Sequence, residues 1–400
     1  MKLIPRPQYL NDLISVRHTP DIKVVTGIRR SGKSKLVDAF VTWLTDNEPA
    51  ANVIKIDFNL PEWHNKLPDG NALYAFIGAQ RKDGVENYVV IDEVQNCEKF
   101  EWAINGLHAT GQYRIYITGS NAFLLNNDLA TLFTGRTFET EVYPFSLREF
   151  MDYFGIADIQ QGLDRYILDG GMAGSYIYDT PRHRYDYIKS VFTTLIVRDV
   201  QQKHRVRNVR LLTRLAEFLM DNISNLESAN SIAEALAALR HKTNSRTIGS
   251  YLGYLTDAFL FYRVRRYDIR GKMYLATQDK YYLADHSFRY ALLGTRNMDY
   301  GRVLENIVAI ELMRRGYDVY AGFLYKKEVD FVAMKRDEKA YIQVSLDVTN
   351  PKTFEREVAP FFQIKDAYPR ILLARTRHSQ TDYEGVRIID IADWLFNVPQ

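Results

Sequence analysis

The sequence predicts an α/β protein whose N-terminal part is organised around a parallel β-sheet. From residue 21 to about residue 141, short apolar runs rich in β-formers alternate with stretches of helical spacing, an alternation typical of βαβ units. The first run is followed by a glycine-rich sequence and then by a helical stretch, as in a phosphate-binding loop. At roughly 150 residues per domain, the 400-residue chain also has room for further domains beyond this sheet.

The elements of the first domain follow from these patterns. Its strands are expected where β-branched and aromatic residues cluster, at Ile22–Thr26, Val53–Phe58, Tyr88–Ile91 and Tyr113–Thr118. The segments between them have helical apolar spacing, and a parallel sheet needs such crossover helices. We therefore assign residues 1–145 to one α/β domain.

Three further regions follow along the chain. Residues 146–205 have helical spacing and form a predicted helical extension. In residues 206–295, three helical stretches precede two alternating apolar–polar runs separated by Gly271, and this order is typical of a winged helix-turn-helix. Residues 296–400 begin with a helix that ends at Gly316 and continue as strands. This last region is predicted to be a separate α/β module.

Composition excludes several classes of protein. The chain is 46% hydrophobic and 25% charged, as in folded domains and unlike disordered segments. The single cysteine, Cys97, cannot form an internal disulfide or a cysteine-based zinc site, so we expect a reducing compartment, the cytoplasm. No signal peptide or membrane span is visible, and no membrane partner is expected. The net charge of +3 is too small to indicate nucleic-acid binding by itself.

The segment Gly27–Ser34 matches the phosphate-binding pattern G-x-x-x-x-G-K-[ST] in full. Glycines let consecutive backbone N–H groups face the phosphates, and the following helix N-terminus adds positive potential. Lys33 is expected to meet the β- and γ-phosphates, and the Ser34 hydroxyl to meet Mg²⁺. The expected ATP-binding residues are Gly27, Arg29, Arg30, Ser31, Gly32, Lys33, Ser34 and Lys35. The two arginines either touch phosphate or are simply solvated.

A second acidic motif follows at Tyr88–Glu93, an apolar strand that ends in two carboxylates. This is the Walker B form, in which Asp92 enters the magnesium shell and Glu93 polarises the attacking water. Strand ends often carry acids, but the preceding phosphate loop makes phosphoryl transfer the better explanation. Lys33, Asp92 and Glu93 are therefore the central catalytic candidates, with Ser34 and Asp92 as metal ligands.

Two weaker catalytic candidates come from the next segments. The strand ending at Thr118 is followed by Gly119, Ser120 and Asn121, and the side chain of Asn121 or of Ser120 is a candidate to hold the lytic water or sense the γ-phosphate. A turn with a helix N-cap explains the same residues. Arg136 could serve as an arginine finger for a neighbouring molecule, or be an ordinary surface arginine.

Basic residues concentrate around the predicted winged helix. The expected DNA-binding residues open the third helix or lie on the wing, and they are Lys242, Arg246, Arg263, Arg265 and Arg266. A recognition helix places its N-terminal residues on base edges, so duplex DNA is a candidate partner. Winged helices also bind proteins, and that alternative stays open.

The C-terminal module has the layout of a PD-(D/E)xK nuclease core, in which acids and a lysine on adjacent strands bind a metal and activate water. Asp330 occupies the first acid position, but Gln343 replaces the second acid and Ser345 replaces the lysine. Glutamine is a weaker ligand for a hard cation. Glu305 either lends a metal ligand or is an ordinary helix acid. We therefore expect a retained fold without nuclease activity.

Taken together with further short sequence motifs, these features make the chain resemble the bacterial and archaeal ATPases of the AAA superfamily that carry a DUF4143-type C-terminal region. The likeness rests on the segments 26–34, 91–95, 117–121, 135–136, 144–150, 169–172, 197–199, 304–306 and 328–331. It implies an AAA-type P-loop ATPase core, a central helical and winged-helix region and a restriction-endonuclease-like α/β module. ATP and Mg²⁺ are the implied cofactors.

Three functional hypotheses follow from the sequence. The first is an ATP-hydrolysing switch whose nucleotide state controls the contacts of the C-terminal half. The second is a nucleotide-gated scaffold that binds DNA or a protein with negligible turnover, and the third and weakest is a nuclease. An arginine supplied by a neighbour would require a homo-oligomer, although a monomer satisfies the other motifs equally well.

Overall fold

The computed structural model describes residues 3–119, 133, 135–239, 241, 243–295, 299–325, 327–375 and 381–397. The chain divides into two compact units. The N-terminal unit is Ile4–Val142 together with Asp257–Phe259, and the C-terminal unit is mainly Tyr143–Thr256 and Leu260–Gln400. Among the helices in the described ranges, none has the length and apolar character needed to cross a bilayer.

A five-stranded parallel sheet forms the centre of the N-terminal unit, in the order β2-β3-β4-β1-β5. Its strands are β1 Ile22–Thr26, β2 Asn52–Asp57, β3 Asn87–Asp92, β4 Arg114–Thr118 and β5 Thr137–Glu141. β1 and β3 are buried along their whole length, as a parallel sheet covered on both faces requires. The predicted α/β fold with a parallel sheet is confirmed, and β5 is a strand that the sequence analysis missed.

Helices cover both faces of this sheet, and the core consists of two clusters of buried side chains. The helices are α1 Pro7–Ser15, α2 Lys33–Asn47, α3 Pro61–Lys66, α4 Gly70–Gln80 and α5 Phe100–Ala109. One cluster includes buried side chains of α4 and α5, and the other includes side chains of α1 and α2. Since all strands are parallel, the segments that follow β1, β3 and β4 leave the sheet at the same edge.

Helices dominate the first half of the C-terminal unit and recur between the strands of its second half. They are α6 Leu147–Phe154, α7 Ile159–Asp169, α8 Pro181–Thr194, α9 Val209–Asp221, α10 Ala229–Ala238, α11 Ser245–Asp257, α12 Ser287–Leu293, α13 Tyr300–Arg314, α14 Pro351–Val358 and α15 Ile391–Phe396. α8 continues as π-helical turns over Leu195–Gln202. Short 3₁₀ turns occupy Val94–Asn96, Ala173–Ile177 and Phe361–Gln363.

An eight-stranded mixed sheet organises the rest of this unit, in the order β12-β13-β11-β10-β9-β8-β6-β7. The strands are β6 Phe261–Asp268, β7 Met273–Leu283, β8 Asp318–Leu324, β9 Lys327–Lys335, β10 Glu338–Ser345, β11 Arg370–Ala374, β12 Asp382–Tyr383 and β13 Val386–Asp390. The two alternating runs of the sequence form an antiparallel hairpin, β6–β7. However, β6 also pairs in parallel with β8, so the hairpin extends the C-terminal sheet. The predicted division at residues 295 and 296 therefore does not separate two sheets.

Two buried side chains make hydrogen bonds to backbone groups near the end of β7. Asn306 joins α13 to the end of β7, and Asp285 joins the residues after β7 to the segment after α7. The Asn306 amide donates to the Leu283 carbonyl at 2.9 Å and accepts from its N–H at 2.7 Å. The Asp285 carboxylate accepts from the backbone N–H groups of Gly171 and Ser287. A Cβ at Gly170 would lie 2.4 Å from the Asp285 carboxylate. Glycine in this segment is therefore explained by close packing.

We expect Asn306→Ala to lower the free energy of unfolding of the C-terminal unit by about 3 kcal/mol, because two buried backbone groups lose their partner. Denaturant unfolding followed by circular dichroism measures this loss. The control is Asn47→Ala, since Asn47 is exposed in the last turn of α2 and its side-chain amide donates to the Trp43 carbonyl. Equal losses in the two variants would contradict the anchoring role.

The buried Lys23 on β1 predicts a specific pH dependence. Its Nζ donates to the Thr19 carbonyl at 2.5 Å, and burial lowers its pKa to about 8. Between pH 8 and 10 the unfolded chain therefore binds more protons at Lys23 than the folded chain does, and stability rises with pH. We expect this rise to contribute about 2 kcal/mol in wild type and to disappear in Lys23→Met.

The measurement is urea unfolding of both proteins at pH 8 and pH 10. Lys55→Met is the matched control, since Lys55 is a lysine on β2 whose ammonium pairs with Asp38 at 2.6 Å. Identical pH slopes in wild type and Lys23→Met would show that Lys23 stays protonated across this range.

Candidate nucleotide site

The glycine-rich loop joins β1 to α2, as its motif predicts. Its backbone enters the left-handed region at Gly27, Arg30 and Gly32, with φ of +130°, +69° and +104°. A Cβ at Gly27 would lie 2.3 Å from the carbonyl oxygen of Val142. Gly27 is therefore required both by its backbone conformation and by the closeness of the segment after β5.

The chemistry of the loop suits an anion. Lys33 is buried, and its Nζ donates to the carbonyls of Gly27 at 2.9 Å and Ile28 at 3.1 Å. The Ser31 hydroxyl is also buried and has no hydrogen-bond partner within the described part of the chain. A lysine, an unsatisfied hydroxyl and the N-terminus of the fifteen-residue helix α2 together fit the phosphates of a nucleotide.

The remaining charged residues predicted to bind the nucleotide differ in how exposed their side chains are. Arg29 is half-buried, whereas Arg30 and Lys35 are exposed. The Lys35 ammonium pairs with Asp38 one turn further along α2, at 3.0 Å. A side-chain role for Lys35 in nucleotide binding therefore stays a prediction without support from this geometry.

Asp92 lies at the carboxyl end of β3, where the parallel register places it beside β2 and β4. Its carboxylate accepts from the hydroxyl of Thr118 and, at 3.1 Å, from the Asn59 amide. Burial raises the pKa of Asp92, and the nearby Ser34 side chain opposes this by favouring the ionised carboxylate. The structure thus brings together the two predicted magnesium ligands, which are far apart in sequence. Hydroxyl and carboxylate oxygens are the donor set that Mg²⁺ prefers.

Glu93 follows directly in a left-handed conformation, with φ +52°. Its backbone N–H donates to the Thr118 hydroxyl at 3.0 Å, and its carboxylate accepts from the Gln95 amide. Thr118, Asn59 and Gln95 were not predicted as site residues. Thr118 ends β4 and Asn59 follows the end of β2 by two residues, and that position was the signal available in the sequence.

The two weaker catalytic candidates have different outcomes. Asn121 lies outside the described residues. Arg136 is exposed just before β5, and its carbonyl accepts from the Ile22 N–H at 2.8 Å. β5 runs parallel to β1, so Arg136 lies at the sheet edge opposite the phosphate loop, about 16 Å away along the strand. Within one chain, Arg136 is therefore not part of the phosphate site.

The predicted DNA-binding residues differ in the contacts that their side chains make within the protein. The Arg263 guanidinium pairs with Asp279 at 2.6 Å, and the Arg266 guanidinium lies 4.2 Å from the centre of the Phe323 ring. Both side chains therefore have structural partners. Arg246 in the first turn of α11 and Arg265 on β6 are exposed, while Lys242 lies outside the described residues.

The nuclease-like acids surround a lysine that the sequence analysis missed. Lys280, on β7, is buried, and its Nζ lies 2.8 Å from the Glu305 carboxylate and also pairs with Glu328. Burial alone would lower the Lys280 pKa, but Glu305, Asp330 and Glu328 outweigh it and raise that pKa. Glu305 further accepts from the Tyr282 hydroxyl at 2.6 Å.

Asp330 itself is largely bound to protein groups. Its carboxylate accepts from the Val344 N–H at 2.8 Å, and burial together with Glu305 raises its pKa. The Gln343 side chain accepts from the Asp330 N–H and donates to Glu357 at 2.9 Å, whereas Ser345 donates to the Asp347 carbonyl. Across the described ranges, no group of three or more His, Cys, Asp or Glu residues has the geometry to hold a metal ion.

Comparison with family models identifies two regions of the chain. Residues 19–151 match the model of an AAA domain, and residues 160–299 match a domain of unknown function, DUF8612. The predicted AAA-type core is thus confirmed. The DUF4143-type region expected from the sequence is not confirmed, because the DUF8612 match is found instead.

Whole-length relatives and a solved structure complete the comparison. An uncharacterized protein of Haemophilus influenzae is 35% identical over 98% of both chains. An uncharacterized protein of Methanocaldococcus jannaschii is 27% identical over 92% of this chain and 84% of its own. Domain III of the Thermotoga maritima replication initiation protein DnaA aligns with 48% of this chain and 86% of its own, at 18% identity and a TM-score of 0.30.

The family assignment rests on the near-complete alignment with the Haemophilus influenzae protein and on the AAA-domain match over the phosphate-binding loop and the acidic strand. The chain belongs to the same family as that Haemophilus influenzae protein, and it contains an AAA domain over residues 19–151.

Proposed function

We propose that this protein is an ATP-hydrolysing switch whose nucleotide state controls the contacts of its C-terminal unit. The observation that carries the proposal is that the phosphate-binding loop and the acidic end of β3 come together: the Ser34 side chain lies near enough to Asp92 to favour its ionised form, and Glu93 follows one residue further on. A P-loop hydroxyl and a Walker B carboxylate in contact are the residues that hold Mg²⁺ in P-loop NTPases. When bound, the metal supplies positive charge against the β- and γ-phosphates.

The chain's own residues supply the remaining steps. The N–H groups of the loop and the Lys33 ammonium bind the phosphates and offset the charge that grows on them. Glu93 orients a water molecule and accepts its proton as the water oxygen bonds to the γ-phosphorus. The bond from that phosphorus to the ADP oxygen breaks, so the products are ADP and inorganic phosphate.

The leading alternative is a nucleotide-gated scaffold with negligible turnover. It is supported by the Gln95 amide, which binds the Glu93 carboxylate and so competes with water for it. In this alternative the nucleotide alters binding to a partner without being consumed. A nuclease has the least support, because the Lys280 ammonium pairs with the Glu305 and Glu328 carboxylates that a metal would need, and no group of three or more His, Cys, Asp or Glu residues in the described ranges could hold a metal ion.

Duplex DNA is the partner we propose to test first. The support comes from Arg246 and Arg265, which remain exposed while Arg263 and Arg266 pair with other side chains. Exposed arginines bind phosphates and base edges. A protein partner, or a second copy of this chain, is the alternative for the same surface.

Magnesium-dependent ATP hydrolysis separates the switch from the scaffold. We expect Glu93→Gln to bind ATP with nearly unchanged affinity and to lose about 100-fold or more in kcat, the range for a lost general base. Lys33→Ala is expected to lose ATP binding. Steady-state phosphate release and calorimetric titration measure the two effects. Glu98→Gln is the matched control, because Glu98 is an exposed glutamate nearby in the same segment.

Two results would contradict different parts of this proposal. Turnover that survives in Glu93→Gln would show that Glu93 is not the base, and ATP binding without turnover in wild type would favour the scaffold. Adding duplex DNA at fixed low salt tests the coupling, since a switch that senses DNA changes its hydrolysis rate when DNA is bound.

DNA binding is tested by substituting the exposed arginines. We expect Arg246→Ala and Arg265→Ala each to weaken duplex binding and to reduce the slope of affinity against salt by about one. Fluorescence anisotropy at several salt concentrations measures both quantities. Arg387→Ala is the control, because Arg387 is an exposed arginine on β13, near the opposite end of the same sheet. An equal effect at Arg387 would indicate attraction by net charge alone.

A further inference from the structure

Arg6 precedes α1 and lies against the phosphate-binding loop. It is only 8% exposed, and its guanidinium centre lies 4.5 Å from the centre of the Tyr9 ring. Its Nη1 donates to the carbonyl oxygen of Ser31 at 3.1 Å. A Cβ at Gly32 would lie 3.8 Å from the same nitrogen. A buried arginine from outside the glycine-rich motif therefore holds one specific peptide of the loop.

The geometry of that peptide gives the contact a consequence. The bond between Ser31 and Gly32 is trans and planar, so its C=O and N–H point in opposite directions. Holding the Ser31 oxygen against Arg6 directs the Gly32 N–H away from Arg6. Gly32 has φ +104°, a conformation that few residues other than glycine adopt.

Carbonyl oxygens are the groups that a phosphate-binding loop must keep away from its ligand, because they repel an anion. The Lys33 ammonium binds those of Gly27 and Ile28, and Arg6 binds that of Ser31. Beside these held peptides lies the buried Ser31 hydroxyl, which has no hydrogen-bond partner among the described residues. The loop therefore combines restrained carbonyls with an unsatisfied donor next to the N-terminus of α2.

We propose that Arg6 is a positioning residue for nucleotide phosphates, which acts by fixing the Ser31–Gly32 peptide so that the Gly32 N–H faces the phosphate site. This inference rests on the proposed nucleotide-binding function of the loop. Arg6 acts on a peptide that ATP and ADP meet equally, so its loss reduces uniform binding. In kinetic terms, KM for ATP rises and kcat is unchanged.

The test compares Arg6→Ala and Arg6→Lys with wild type in calorimetric titrations of ATP, ADP and adenosine, all with Mg²⁺. We expect Arg6→Ala to lose about tenfold in affinity for ATP and for ADP, the size of one charge-assisted hydrogen bond, with adenosine unaffected. Arg6→Lys is expected to recover part of the loss, because its ammonium can also donate to a carbonyl. The matched control is Arg17→Ala, since Arg17 follows α1 and pairs with Glu48 at 2.6 Å, not with the loop.

Distinct results would overturn the inference. Unchanged ATP and ADP affinity in Arg6→Ala would do so while leaving the proposed function intact. An equal loss in Arg17→Ala would mean that the docking of α1 matters rather than Arg6, and a loss for adenosine would indicate a base contact. If wild type binds ATP no better than Lys33→Ala, the proposed function itself fails. Circular dichroism melting without nucleotide checks folding, and Arg6→Lys carries the test if Arg6→Ala does not fold.

Discussion

The side chain of Thr118 is the point on which the acidic half of the nucleotide site depends. Its hydroxyl donates to the Asp92 carboxylate and accepts from the Glu93 N–H, so one side chain fixes both the metal ligand and the backbone of the proposed base. The contact exists because β3 and β4 pair in parallel, with Ile91 opposite Ile117. A shift of one residue in this register would turn the side chains to opposite faces of the sheet.

The same register explains why the acidic residues meet the phosphate loop. β1 lies on the other side of β4, with Val25 opposite Thr118, so the loop after β1 leaves the sheet beside the end of β4, one strand from the end of β3. This is the geometry that brings the Ser34 side chain near Asp92. Arg136 shows the converse case, since it lies at the start of a strand parallel to β1 and therefore at the other edge.

The C-terminal unit depends on a different kind of interaction, in which buried polar side chains bond to backbone groups or pair with each other. Asn306 and Asp285 hold strand and loop peptides, and Lys280 holds Glu305. These contacts account for the motif residues at 169–172 and 304–306 as structural ones.

The sequence alone determined the P-loop, the acidic strand end and the alternation that builds the parallel sheet, because each depends on residues adjacent in the chain. It did not determine which partners the charged side chains find, since ion pairs such as Arg263 with Asp279, or the contact of Arg6 with Ser31, join residues far apart in sequence. The pairing of β6 with β8 was equally hidden, because an alternating strand pattern does not specify its neighbour. Only the tertiary structure decided these, since strand order and burial determine which charges must be compensated and by which residues.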